Sequence, residues 1–89
     1  MDSLKAVDPP AAANNYLQVL WYEKKNKWEQ AHNIAQDIHD AQGARLHGYL
    51  HWREGDKSNA RYWYNQAKHS FPTSTIDEEW EHLVRECLD

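Results

Sequence analysis

Two histidines four residues apart, His47 and His51, are the residues whose spacing points most directly to chemistry. In a helix, residues at positions i and i+4 lie on one face, and Glu54, seven residues after His47, falls on the same face. Two imidazoles and a carboxylate can bind Zn²⁺ or another divalent ion. The pattern therefore predicts a metal or small-ligand site at these three residues, of a kind that also supports hydrolysis.

A complete metal site needs further ligands, for which the sequence offers Asp56, His69 and His82. The H-E-x-x-H motif of zinc proteases is absent, because Gly48 stands where that motif has glutamate. Two other interpretations of the histidine pair stay open. In the favoured one, the imidazoles fill inner positions of a helix and bond to a neighbour such as Glu54 or Tyr64. In the other, they form a contact that responds to pH.

Length and composition limit the function classes. The chain has 89 residues, enough for one domain, with five Trp and five Tyr to supply its core. Its formal net charge is −4, which argues against a protein that coats nucleic acid or an anionic membrane. The basic run at Lys24, Lys25 and Lys27 complements the dipole at a helix C-terminus without any ligand.

Several other functions have no signal in the sequence. Cys87 is the single cysteine, which excludes an intramolecular disulfide and makes a reduced cytoplasm the expected location. The N-terminus lacks an apolar signal region, and no run approaches the roughly 18 apolar residues of a membrane span. Cys87 and His82 lack the third group that a nucleophile pair requires. The sequence therefore predicts a non-catalytic protein, without a cofactor unless the histidines bind a metal.

The apolar residues that would position these groups recur at helical spacing, and no period-two pattern of a strand persists. Residues 1–7 are predicted to be a flexible tail. Asp8 followed by Pro9 and Pro10 predicts the start of the first helix, and hence of a single domain over 8–89. The five predicted helices cover about 8–25, 28–41, 44–54, 56–70 and 75–88.

Capping and breaking residues define the ends of these helices. Three breakers are expected to end the second, third and fourth helices: Gly43, Gly55 and Pro72. Asp56 or Ser58 is expected to cap the fourth helix. Thr75 and Glu78 have the spacing of a capping box at the start of the fifth.

Six residues follow the spacing G-x6-G-x4-A-x3-Y-x2-A-x4-P: Gly48, Gly55, Ala60, Tyr64, Ala67 and Pro72. This pattern resembles the tetratricopeptide repeat and its relative, the Sel-type repeat, over about 41–74. His47 and His51 stand where the repeat has apolar groups. The resemblance implies an all-α fold of about five antiparallel helices, stacked as hairpins in a right-handed array or a small orthogonal bundle. It also implies binding of protein segments without catalysis.

Partner contacts are expected at exposed aromatic and amide side chains. The consecutive aromatic residues 62–64 cannot all face one core, and Tyr62 is the ring expected to be exposed. With Trp52, it is a candidate contact for a protein, a peptide or a second copy of the chain. Asn59 and Asn65 resemble the peptide-clamping asparagines of tetratricopeptide domains, although a capping role is favoured for Asn59. The leading hypothesis is a protein-binding or homodimeric protein, and a metal or ligand site is the alternative.

Overall fold

Five α-helices and no strand form the part of the chain that the computed structural model describes, residues 14–88. The helices are α1 (Asn15–Lys24), α2 (Trp28–Gln36), α3 (Ala41–Arg53), α4 (Lys57–Gln66) and α5 (Ile76–Cys87). The predicted all-α fold with five helices is therefore confirmed. Over the same residues, no helix has the length and apolar character needed to cross a membrane. The predicted tail and the predicted cap at Asp8 lie outside the described residues.

The first helix that the structure describes begins later than predicted. Asn14 is in an extended conformation, and its side chain accepts the N–H of Leu17 at 2.8 Å. An asparagine in this position satisfies an amide that the helix itself leaves free. The helix that carries Tyr16 therefore begins at Asn15 rather than near residue 8.

Gly43 does not end the second helix, and this prediction is wrong. Asp40 accepts the N–H of Gly43 at 2.7 Å, which makes Asp40 the N-cap of α3 and places Gly43 in its first turn. There the glycine permits a close approach, since an added Cβ would lie 2.6 Å from Cγ2 of Ile38. The stronger local signal was the capping aspartate, which cuts α2 short at Gln36.

Pro72 is also not the residue that ends its helix. α4 ends at Gln66, and Lys68 adopts a left-handed conformation with φ 56° just after it.

The predicted helix end at Gly55 and the predicted caps of α4 and α5 are confirmed. Gly55 is left-handed, with φ 95°, and Asp56 accepts the N–H of Asn59 at the start of α4. The Thr75–Glu78 capping box is present in full at α5.

α3 lies at the centre of the fold and contacts each of the other four helices. Seven consecutive residues of this helix, 45–51, are buried. Tyr49 and Tyr64 are the largest fully buried side chains. Of the ten Trp and Tyr expected to supply the core, however, only these two and Trp21 are buried. The main hydrophobic cluster consists of Val19, Leu20, Ala31, Ala35, Leu46, Tyr49, Leu50, Leu83 and Cys87.

α5 closes one side of this arrangement by packing against α1 and α3. Leu83 and Cys87 face the core, and the indole N–H of Trp80 donates to the carbonyl oxygen of Leu20 at 3.3 Å. Leu88 was expected to face inward but is 57% exposed, because the helix ends one residue earlier. The face shared by α1 and α3 is thus covered by the chain itself.

Gly48 allows α3 and α4 to approach closely. A Cβ added at this position would lie 2.7 Å from Cδ2 of Tyr64 and 3.0 Å from the carbonyl oxygen of Ala60. Both neighbours are fully buried and the second contact is to backbone, which leaves little freedom to move apart. The repeat-like glycine is therefore a packing requirement of the helix crossing.

Replacing Gly48 by alanine should destabilise the fold, although the same change in an unhindered helix stabilises it. The added methyl group overpacks the crossing, and we expect a net loss of about 1–3 kcal/mol in the free energy of unfolding. Urea denaturation followed by circular dichroism measures this loss. Asn65→Ala, at an exposed position of α4, is the control and should change stability little. An unchanged midpoint for Gly48→Ala would contradict the packing argument.

Candidate functional site: a histidine cluster between two tryptophans

The two histidines identified by their spacing lie side by side on α3. His47 is 7% exposed and His51 is 8% exposed. Their rings are stacked with centroids 5.0 Å apart. One turn of helix separates them, and their shared face is turned into the protein rather than toward solvent.

A third histidine, His32 on α2, completes the cluster. Its Nε2 lies 2.9 Å from Nε2 of His47, and its ring centroid lies 5.4 Å from that of His51. One ring nitrogen from each histidine lies within 4.8 Å of the other two. His32 was not among the predicted ligands, because no spacing along the chain tells which of the other histidines packs against His47 and His51. Its place on the predicted second helix, next to the inward-facing Ala31, was the available signal.

Two tryptophans stack on this cluster, one from α2 and one from α4. Trp28 lies on His32 with a centroid distance of 4.8 Å, and Trp63 lies on His47 at 4.0 Å with nearly parallel rings. The indole N–H of Trp28 donates to the carbonyl oxygen of Leu50 at 2.8 Å, which fixes its ring against α3. The tryptophans remove water from the imidazole faces and hold two of the rings in place.

Burial favours the uncharged form of two of the three histidines, His32 and His47. It lowers the pKa of His47 from its ordinary value of 6.5 to about 4, and the neighbouring His32 and His51 add to this decrease. Burial is also the main cause of the lowered pKa of His32, and electrostatic repulsion by His51 is a smaller cause in the same direction. The unprotonated imidazole nitrogen is the form that binds metal ions. His32 and His47 can therefore bind a metal ion without a net loss of protons, provided that the donor of their hydrogen bond moves its proton to its other ring nitrogen.

Glu54 connects the cluster to the protein surface. Its Oε2 lies 2.6 Å from Nδ1 of His51, and a neutral His51 that donates this N–H keeps Nε2 unprotonated. Asp56 also lies nearby, so that ligand atoms of His51, Glu54 and Asp56 fall within 4.8 Å of one another. Asp56, however, already accepts the N–H of Asn59 as the cap of α4. The carboxylate that contacts the histidines is thus Glu54.

The two remaining ligand candidates lie elsewhere in the structure. His69 is exposed after α4, with Nδ1 2.8 Å from the carbonyl oxygen of Ser70. His82 is on α5, with Nδ1 3.7 Å from Oε1 of Glu79. Neither belongs to the three-histidine cluster.

The predicted partner contacts differ in their exposure. Tyr62 is 54% exposed, as predicted, and Asn65 is exposed on the next turn of α4. Trp52 and Asn59 are half-buried. The favoured capping role of Asn59 is wrong, because Asp56 is the cap and the backbone of Asn59 is the group that it satisfies.

Cys87 lies in the core, where the amide of Gln42 donates to its sulfur at 3.2 Å. Burial raises the pKa of this thiol, which leaves it mostly protonated at neutral pH. A thiol in this setting is a poor nucleophile and a poor metal ligand.

Comparisons with protein-family models, with curated proteins and with solved structures found no match to this chain. The resemblance to tetratricopeptide and Sel-type repeats therefore stays a prediction from the residues that carry it. Any functional inference depends on the geometry of the site.

The metal-free protein should lose stability as the pH falls from about 6.5 to about 4. In this window, His47 takes up a proton in the unfolded chain but not in the folded one, and protonation therefore favours unfolding. His32 acts in the same direction. For His47, the loss amounts to at most about 3 kcal/mol. Chemical denaturation in the presence of a chelator, repeated across this range, measures it.

The matched variant for this experiment is His47→Gln, which removes the titrating group. Its stability should fall less steeply over the same pH range, whatever its absolute value. Parallel curves for the two proteins would contradict the role given to His47.

Proposed function

We propose that this protein binds a divalent transition-metal ion of the Zn²⁺ class through the imidazoles of His32, His47 and His51. The observation that carries the proposal is the convergence of three imidazole nitrogens within 4.8 Å. The lowered pKa of His47 and of His32 supports it, since neither ring has to lose a proton at neutral pH.

The distances suit an ion of this size. Two nitrogens bound to one tetrahedral Zn²⁺ at about 2.0–2.1 Å lie roughly 3.3 Å apart. The Nε2 atoms of His32 and His47 are 2.9 Å apart. Moving the two atoms roughly 0.4 Å further apart would allow two metal bonds to replace their hydrogen bond. Small rotations of the side chains are enough for this movement. Three imidazoles without a thiolate also favour Zn²⁺, Cu²⁺ or Ni²⁺ over Mg²⁺ or Ca²⁺.

Glu54 has a supporting role in this proposal rather than that of a ligand. A histidine that binds a metal through one nitrogen commonly donates the N–H of the other nitrogen to a carboxylate. The 2.6 Å contact between Nδ1 of His51 and Glu54 has this arrangement. His32 thus takes the third ligand position that the sequence had suggested for Glu54.

Titration of the purified, chelator-treated protein with Zn²⁺ in a calorimeter tests the proposal. The native protein should bind one ion. His32→Ala should weaken binding by more than roughly 10–100-fold, which is the loss typical of substituting a residue that only hydrogen-bonds to a metal ligand. His69→Ala, outside the cluster, should bind as the native protein does. Circular dichroism establishes that each variant is folded. A native protein that binds no Zn²⁺, Cu²⁺ or Ni²⁺ would overturn the proposal.

The same titration separates the role of Glu54 from that of a ligand. Glu54→Gln should weaken Zn²⁺ binding by about 10–100-fold, less than the loss of a histidine. Glu29→Gln removes the same charge from an exposed position of α2 and serves as the control. An effect as large as that of His32→Ala would show that Glu54 binds the ion directly.

Protein binding or self-association is a second candidate function, favoured by the 54% exposure of Tyr62. An exposed aromatic ring of this size is typical of an interface anchor. Sedimentation equilibrium should detect a homodimer that is weakened in Tyr62→Ser. A native chain that stays monomeric at high concentration would exclude the homodimer.

A further inference from the structure

An open groove adjoins the histidine cluster. It is bordered by the segment between α2 and α3, by the first turns of α3 and by the C-terminal end of α4. Its volume is about 630 Å³, within the range of roughly 300–1,000 Å³ that small-molecule sites occupy. His47 and Trp63 line the groove and also belong to the cluster. A molecule in the groove would therefore contact His47, the one proposed metal ligand that lines it.

One part of the groove lining is apolar. Ala35, Ile38 and Ala44 contribute small or branched aliphatic groups, and Trp63 contributes an aromatic surface. An apolar body the size of an aromatic ring would be desolvated by contact with these side chains.

The groove is lined by one carboxylate, Asp40, and one lysine, Lys68, so the charge of a metal ion would decide whether it favours an anion. Asp40 keeps its negative charge, because the hydroxyl of Tyr16 and the N–H of Gly43 donate to its oxygens and lower its pKa. Lys68 also lines it and forms no ion pair with any residue in the described part of the chain. The backbone of Lys68 adopts a left-handed conformation just after α4. A metal ion at the cluster would add further positive charge.

We infer that the groove binds a small organic carboxylate with an apolar body, whose carboxylate completes the coordination of the ion. The inference rests on the proposed metal site, in which three histidines leave a fourth tetrahedral position for an exogenous ligand. Lys68 supplies the second positive charge, and Trp63 supplies the surface for the apolar body. His47 connects the two parts, because it is both a ligand of the ion and a wall of the groove.

Calorimetric titration of the Zn²⁺-loaded protein with benzoate tests this inference, with benzamide as a neutral molecule of the same shape. Benzoate should bind at least about tenfold more tightly, because benzamide lacks the charge. Lys68→Gln should weaken benzoate binding by about tenfold. Lys57→Gln, an exposed lysine at the other end of α4, should leave it unchanged. Backbone amide shifts of Ala44 and the indole shift of Trp63 report whether benzoate occupies the groove.

The outcomes separate the inference from the proposed function. If Zn²⁺ binds but benzoate does not, or binds no better than benzamide, the inference is overturned and the metal site stands. If benzoate binds equally well to the metal-free and the Zn²⁺-loaded protein, its carboxylate does not coordinate the ion, and the inference is overturned. If no metal ion binds, the proposed function fails and the inference fails with it.

Discussion

The burial of α3 on all sides is the constraint on which the rest of the structure depends. Helices that are surrounded by protein are ordinarily apolar around their whole circumference. This helix instead buries Arg45, His47 and His51 within the seven buried residues 45–51. Because a buried polar group without a partner costs several kcal/mol, the neighbouring helices must supply partners. Among residues 14–88, no buried side-chain nitrogen or oxygen lacks one.

Arg45 obtains both of its partners, Glu79 and Glu86, from α5. Its guanidinium lies 3.1 Å from Glu79, a carboxylate that also accepts the hydroxyl of Tyr64 at 2.8 Å. A buried ion pair adds little net stability over apolar groups of the same shape, but removing one partner costs roughly 3–5 kcal/mol. The pair therefore restricts where α5 can pack on α3 more than it strengthens the fold.

A second network joins α3 to α1 in the same manner. The hydroxyl of Tyr49 donates to Glu23 at 2.7 Å, and Arg53 lies 3.2 Å from the same carboxylate. Charge on one helix is neutralised by charge on another in each network. The buried groups of both networks are thus satisfied within the protein.

His47 differs, because it is paired with His32 and not with an acid, whereas His51 is paired with Glu54. One imidazole of the His32–His47 pair donates and the other accepts, and both Nε2 atoms can bind an ion once the donor moves its proton to Nδ1. Tryptophans on both rings exclude water and hold the imidazoles in the uncharged form. Of the buried polar groups Arg45, His47 and His51 on α3, His47 is thus the one that is not paired with a carboxylate.

The sequence by itself determined the helical character of the chain and those helix ends that depend on a few adjacent residues. Gly55, the cap at Asp56 and the Thr75–Glu78 box were predictable because their hydrogen bonds and backbone conformations are local. The shared face of His47 and His51 followed from helix geometry for the same reason.

Only the tertiary structure decided which histidine joins the pair on α3. The error at Gly43 has a local cause, because a glycine fits either a helix end or a close contact, and the cap at Asp40, three residues earlier, places it inside α3. His32 meets His47 because of the angle at which α2 packs on α3, which no spacing along the chain encodes. Hydrogen bonds between residues close in the chain could therefore be predicted from the sequence, whereas the histidine cluster could be identified only in the packed structure.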